Sequence, residues 1–155
     1  INMRKLILIM VMVLSSTICK SQIVVDKAGD GWDLKVDTAL ALIKKTDSIK
    51  YRLLIKVCDK ITFWSGTFST NEGEKGKKGA IIISSADAKA SSINNIAAVI
   101  IHESLHLYMR YNGVEEKPEE EIICYSYEYE FLTQVPKIES YLLEHCLRQI
   151  RNVNR

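Results

Sequence analysis

The sequence predicts a small α+β domain in which a short β-sheet packs on helices around one central helix. Residues 33–45 repeat apolar side chains at helical spacing, and residues 95–109 form a largely apolar stretch without Gly or Pro. Residues 61–64 and 80–85 are instead rich in β-branched and aromatic side chains, which favour strands. The chain has 155 residues, of which 47% are hydrophobic and 26% are charged, and this composition is typical of one globular domain.

The N-terminus has the pattern of a secretory signal peptide. Arg4 and Lys5 precede a continuous apolar run at residues 6–14, and small polar residues follow the run. We therefore interpret residues 1–22 as a signal peptide and expect residues 23–155 to form a single domain that is secreted or periplasmic.

Neither the N-terminus nor the remainder of the chain gives a reason to expect a stable association with a membrane or a nucleic acid. A lipid anchor at Cys19 is the less favoured interpretation of the N-terminus, because Ile18 stands where lipid attachment needs a small residue. Removal of Arg4, Lys5 and Lys20 with the signal lowers the basic residues from 21 to 18 against 19 acidic residues, so the net charge becomes about −1. We therefore expect neither nucleic-acid binding nor stable membrane insertion.

The segments before the central helix read as a scaffold. A polar lead-in over residues 23–32 comes before the first helix, and Asp47 can cap a second one. Residues 51–57 fit that helix but also fit a strand. A polar loop with three glycines over residues 71–79 then leads into the strand at 80–85, which is the clearest one in the sequence.

The central helix carries the pattern His102-Glu103-x-x-His106. A spacing of four residues places both histidines on one helix face, about 5–6 Å apart at Cβ, so both imidazoles can bind one zinc ion. Glu103 lies one step around the helix, where its carboxylate can act as a general base on a water molecule. Gly113 follows Asn112 and is suited to the left-handed cap that ends a helix.

This motif resembles the zincin superfamily of zinc metallopeptidases. The resemblance implies a zincin-like domain with the motif helix at its centre, a bound Zn²⁺ and a peptide or protein substrate. The metzincin branch would need Gly at position 109 and His at position 112, where this chain has Met109 and Asn112. The chain therefore resembles the gluzincin branch, and this resemblance implies a third ligand from a Glu on a downstream helix. Zincins also place an extended substrate against an edge strand, and residues 81–84 could pair with a substrate in this way if one edge stays open, while an ordinary core strand is the alternative.

The downstream helix opens with three adjacent acids that could supply the third ligand. Glu121 is preferred, because Glu121-x-x-Cys124-Tyr125 is similar to the Glu-x-x-Ala-Tyr segment of small bacterial and phage peptidases of this type. The alternatives are Glu120, Glu119 and, farther along the chain, His145. Tyr125 is a candidate to stabilise the oxyanion that forms when an amide is attacked.

Three cysteines remain after the predicted signal, and their spacing matches no zinc-finger pattern. They are Cys58, Cys124 and Cys146. We interpret them as small buried hydrophobic residues, while a Cys124–Cys146 disulfide between consecutive helices stays open as the alternative.

The sequence as a whole predicts a secreted zinc metallopeptidase. In this hypothesis His102, His106 and Glu121 bind zinc, Glu103 is the general base and Tyr125 assists. A non-catalytic zinc-binding or protein-interaction domain of the same fold is the alternative.

Overall fold

The computed structural model describes residues 22–27, 30–70, 75–114, 117 and 119–153. Residues 1–21 of the predicted signal peptide, Cys19 included, lie outside the described residues. Within these ranges the chain forms six helices and a four-stranded mixed sheet, which confirms the predicted α+β class.

The helices are α1 (Trp32–Thr46), α2 (Ser48–Val57), α3 (Ser85–Ala90), α4 (Ile93–Tyr111), α5 (Glu120–Leu132) and α6 (Ser140–Val153). The strands are β1 (Val24–Val25), β2 (Cys58–Trp64), β3 (Phe68–Thr70) and β4 (Gly79–Ser84). Among the helices so described, none combines the length and the apolar character needed to cross a membrane.

The four strands lie in the order β1-β2-β4-β3. β1 and β4 run parallel to β2, and β3 runs antiparallel to β4. β1 lies in the segment that the sequence predicts as a polar lead-in. Its two residues, Val24 and Val25, pair with Lys60 and Ile61 on β2, so this strand is defined by its partner rather than by a local sequence pattern.

β4 is an inner strand, so residues 81–84 form the ordinary core strand of the two interpretations and do not offer an open edge to a substrate. Ile81 pairs with Ile61 on β2 and with Ser69 on β3, because the chain turns back after β2 and lays β3 along the other side of β4. The Ser84 amide, beyond the end of β3, donates to Thr67 Oγ1 at 2.9 Å. An extended peptide therefore has no free edge of β4 to join.

β4 also ends one residue earlier than predicted. Ser84 caps the short helix α3, since its hydroxyl accepts a hydrogen bond from the Asp87 amide at 3.3 Å, and Ser85 is already helical. The capping tendency of serine outweighs the strand pattern at this point.

Residues 51–57, which fit either a helix or a strand in the sequence, are helical and form the second part of α2. Asp47 Oδ1 accepts hydrogen bonds from the amides of Ile49 and Lys50 at 3.0 and 2.9 Å. This cap starts the helix, which runs to Val57 and leads directly into β2.

α4 is the predicted central helix. Ser92 caps its start through the Asn95 amide, and Gly113 (φ 76°) ends it in a Schellman turn, as the Asn112-Gly113 pair predicts. Its buried apolar residues are Ile96, Ala97, Ala98, Ile100, Ile101, Leu105 and Leu107. Because α4 is buried along much of its length, the side chains of its buried polar residues point in fixed directions.

The cysteines in the described residues are free and buried. This agrees with their interpretation as small hydrophobic residues, and the alternative Cys124–Cys146 disulfide is not formed.

Lys50 ties α2 to α5. The residue is 4% exposed, its Nζ lies 2.8 Å from Glu130 Oε2, and the same atom lies 3.5 Å from the ring centroid of Tyr127. Both partners belong to α5, the helix that opens with the three acids. Lys50 therefore restrains how α5 is rotated about its own axis.

We expect Lys50→Ala to lower the free energy of unfolding by about 2 kcal/mol, because the cation–π contact and the buried aliphatic stem are both lost. Urea denaturation measures the change. Lys45→Ala, an exposed position on α1, is the matched control and should stay within about 0.5 kcal/mol of the parent. A loss in Lys50→Ala no larger than in Lys45→Ala would contradict the role given to Lys50.

Candidate metal centre

Two histidines on α4 point toward the start of α5. His102 and His106 stand one helical turn apart with ring centroids 5.1 Å from each other, and they are 8% and 6% exposed. Ile101 and Leu105, which precede them in the chain, are buried. The imidazoles therefore keep their direction toward α5.

The carboxylate of Glu121 lies against both imidazoles. Its Oε1 is 3.1 Å from His106 Nε2, and its Oε2 is 3.4 Å from His102 Nε2. Metal–ligand bonds of about 2.0–2.2 Å place the ligand atoms of a tetrahedral zinc ion about 3.4 Å apart. The distances from this carboxylate to the two Nε2 atoms are therefore close to the spacing of ligands on one ion.

Each histidine also meets a second carboxylate at its other nitrogen. Glu128 Oε2 is hydrogen bonded to His102 Nδ1 at 3.1 Å, and Glu120 Oε2 lies 3.4 Å from His106 Nδ1. Glu128 and Glu120 are 6% and 5% exposed. A carboxylate behind a ligating histidine keeps the proton on Nδ1 and leaves the Nε2 lone pair for a metal.

The His106–Glu120 pair tests whether a metal fits this site. His106 Nδ1 and both carboxylate oxygens of Glu120 are buried without a hydrogen-bond partner, an arrangement that costs free energy. A metal on His106 Nε2 would hold the proton on Nδ1, from which a small rotation completes a hydrogen bond to Glu120. Two imidazoles and a carboxylate are also donors that zinc prefers. The donors and the unpartnered atoms therefore both fit a bound zinc ion.

Cys124 joins this cluster, although the sequence suggests it only as a small buried hydrophobic residue. Its Sγ and one ring nitrogen each of His102 and His106 all lie within 4.8 Å of one another. These three buried side chains form a group that could hold a metal ion. The signal in the sequence is the spacing of three residues from Glu121 to Cys124, which places both on one helix face.

The three adjacent acids take three different places. Glu121 faces both Nε2 atoms, Glu120 is buried behind His106, and Glu119 is exposed at the start of α5. Glu121 is therefore the acid of the three that contacts both Nε2 atoms, although the group of possible metal donors consists of His102, His106 and Cys124.

Glu103 and Tyr125 line a cleft of about 220 Å³ beside His102. The Tyr125 ring stands edge-on to His102, with the centroids 4.5 Å apart. His145 of α6 lines the same cleft, 5.8 Å from the Tyr125 ring, and is not one of the grouped metal donors. Arg148 Nη2 lies 3.3 Å from His145 Nδ1, and because a guanidinium can only donate, the His145 proton is placed on Nε2. The cleft thus has a carboxylate, a phenol and an imidazole N–H on its walls.

The carboxylates around the site favour a positive charge on His102. Burial lowers the pKa of His102, but hydrogen bonds to Glu121 and Glu128 outweigh it and raise that pKa to about 9. The hydrogen bond to His102 in turn lowers the pKa of Glu121. Burial, with the charges of Glu121 and Glu128, raises the pKa of Tyr125 to about 12, so its phenol stays a hydrogen-bond donor at neutral pH. Burial also raises the pKa of the Cys124 thiol, and the charge of Glu121 adds to this.

No protein-family model matches this chain, and neither a curated protein nor a solved structure matches it. Its function is therefore inferred from the motif and from the geometry of this centre.

The protein should bind about one zinc ion per chain. His106→Ala should abolish this binding, and Glu121→Ala should weaken the affinity about 10–100-fold, because each removes a donor that faces the same point. Atomic absorption gives the zinc content, and competition with a chromophoric chelator gives the affinity. His145→Ala removes a histidine outside the donor group and should leave both values unchanged. Equal affinity in Glu121→Ala and the parent would exclude Glu121 as a ligand.

Glu128, whose carboxylate is hydrogen bonded to His102 Nδ1, should affect zinc affinity without binding the metal itself. Glu128→Ala should weaken zinc affinity about 10–100-fold, and Glu128→Gln less, since the amide oxygen still accepts from Nδ1. The same competition assay measures both variants, with Glu144→Gln on the exposed side of α6 as the matched control. Parent-like affinity in Glu128→Ala would mean that this carboxylate does not orient His102.

Proposed function

We propose that the protein is a zinc-dependent metallopeptidase in which His102, His106 and Glu121 hold the metal and Glu103 is the general base. The proposal is carried by one observation: both histidine Nε2 atoms converge on the Glu121 carboxylate, beside a cleft that Glu103 lines. The His-Glu-x-x-His pattern supports the same chemistry.

The chain supplies the groups that peptide hydrolysis needs. Zinc in this centre would act as a Lewis acid and lower the pKa of a water molecule. Glu103 follows His102 on α4, so its carboxylate can take the proton of that water and pass it to the leaving amine. Tyr125, a neutral phenol beside His102, can donate a hydrogen bond to the substrate carbonyl oxygen. His145 Nε2–H offers a second donor on the same cleft.

A peptide is the proposed substrate because the motif resembles that of zincins. Binding by strand addition to β4 is not available, since β4 is paired on both sides. On the neighbouring edge strand β3, the Ser69 carbonyl already accepts a hydrogen bond from Arg110 Nη1 at 2.9 Å. The substrate would therefore be held by side chains of the cleft rather than by the sheet.

The proposed location is outside the cytoplasm, either secreted or periplasmic. Arg4 and Lys5 followed by the apolar run at residues 6–14 support it.

A non-catalytic zinc-binding domain is the second candidate. The observation that favours it is Cys124, whose thiol is close enough to both histidines to add a fourth protein donor. Structural zinc sites have four protein ligands, whereas catalytic sites keep one position open. Stoichiometric zinc without hydrolysis of any member of a peptide library would support this candidate.

Glu103→Gln should keep its zinc and lower kcat/KM about 10²–10⁴-fold, because the amide cannot accept the proton. The rate is measured on a fluorogenic peptide library, and the zinc content of the same sample is measured in parallel. Glu144→Gln, an exposed acid on α6, is the matched control.

Hydrolysis at the parental rate by zinc-loaded Glu103→Gln would exclude Glu103 as the base.

Tyr125→Phe in the same assay should lower kcat about tenfold with little change in KM, since the hydrogen bond from Tyr125 is made as charge develops on the carbonyl oxygen.

A further inference from the structure

Cys124 is a donor to which the proposed mechanism gives no role. It follows Glu121 by one helical turn on α5, yet the two differ in exposure: Cys124 is 0% exposed, whereas 43% of the Glu121 side chain is exposed. The thiol therefore approaches the histidine pair from the core, and the carboxylate approaches it from solvent.

The distances allow the sulfur to reach the ion that His102 and His106 would hold. A Zn–S bond of about 2.3 Å and Zn–N bonds of about 2.0–2.1 Å put sulfur and nitrogen about 3.6 Å apart. The present spread of up to 4.8 Å therefore closes with a side-chain shift of about 1 Å. His106 Nδ1 and the Glu120 carboxylate, which are buried and 3.4 Å apart without a completed hydrogen bond, are a second observation that fits a cation on the histidine pair.

We propose that the Cys124 thiolate is the fourth protein ligand of the bound metal, so that the resting centre is closed and a water enters only when the sulfur leaves. This inference rests on the proposed function, because it concerns the same ion. When the sulfur binds, its S–H bond breaks, the proton passes to solvent, and the new sulfur–metal bond replaces a water of the entering ion. When the sulfur leaves, it takes a proton back from solvent and a water occupies its place.

The closed form has two consequences. Two imidazoles, a carboxylate and a thiolate fill a tetrahedral sphere, which is the arrangement of structural zinc sites. The soft sulfur also shifts the metal preference toward zinc and away from magnesium or manganese. Cys124 would thus keep the metal bound but without a coordinated water until the cysteine side chain moves.

Cobalt(II) is the probe, because it reports the sulfur directly and needs no substrate. The cobalt-loaded parent should show a sulfur-to-cobalt charge-transfer band in the near ultraviolet together with the visible bands of a tetrahedral site. Cys124→Ser and Cys124→Ala should lose the ultraviolet band, keep metal binding, and bind cobalt at least about tenfold more weakly. Cys58→Ser is the matched control, since that buried thiol donates to the Lys60 carbonyl in β2 and should leave the spectrum unchanged.

A second measurement tests whether the centre is closed. Acetohydroxamate should alter the visible spectrum of cobalt-loaded Cys124→Ala at concentrations at least about tenfold below those needed for the parent, because only the variant offers an open position. Circular dichroism checks that each variant is folded. The ultraviolet band of the cobalt-loaded parent tests the role of Cys124 even where a variant does not fold.

The outcomes separate this inference from the proposed function. A cobalt-bound parent without the ultraviolet band would overturn the role of Cys124 and leave the proposed metal site standing. An equal response to acetohydroxamate in the parent and in Cys124→Ala would overturn the closed centre. A folded parent that binds neither cobalt nor zinc would overturn both proposals.

Discussion

The contact between the two histidines of α4 and the acidic face of α5 is the constraint on which the rest of the structure depends. Glu120 and Glu128 are almost fully buried, and Glu121 is partly buried beside them. Placing carboxylates in such surroundings costs several kcal/mol each unless cationic partners or hydrogen bonds compensate. His102 supplies part of the compensation, because its hydrogen bonds to Glu121 and Glu128 raise its pKa to about 9. A divalent cation between the rings would supply more, and its binding would then be coupled to folding at this contact.

Separate contacts at other points of α5 keep this face in place. Toward its C-terminal end, Lys50 of α2 meets Glu130 and the Tyr127 ring. On the side of α6, Cys146 is hydrogen bonded to Glu128, the carboxylate behind His102. Helices α2 and α6 therefore contribute to the site through their contacts with α5. A change in α2 or α6 acts on the centre through the rotation of α5.

The features that could be predicted from the sequence are those with local causes. The burial and ends of α4 follow from an apolar stretch, a serine cap and Gly113, and the pairing of His102 with His106 follows from helical spacing alone. The preference for Glu121 over its neighbours depends on a resemblance, and the structure shows that its carboxylate contacts both Nε2 atoms.

The features that were missed depend on how elements pack. β1 exists only because β2 lies beside it, and β4 has no open edge because β3 folds back onto it. Glu128 follows Glu121 by seven residues and so shares its helix face, but this spacing does not reveal that His102 Nδ1 stands opposite. In the same way, Cys124 looks like a small packing residue until α4 and α5 are brought together, when its thiol joins the histidine pair.

Stability and turnover place opposite demands on such a centre. An ion held by four protein donors stabilises the fold most, whereas hydrolysis needs one position open to water. Donors on a single side of the histidine pair could not meet both demands, since any movement that released one would disturb the other. Here the carboxylate of Glu121 lies on the solvent side and the thiol of Cys124 on the core side. In the proposed centre the sulfur would withdraw toward the core while Glu121 and both histidines kept the metal, so the same four side chains would serve a stable resting state and an open working state.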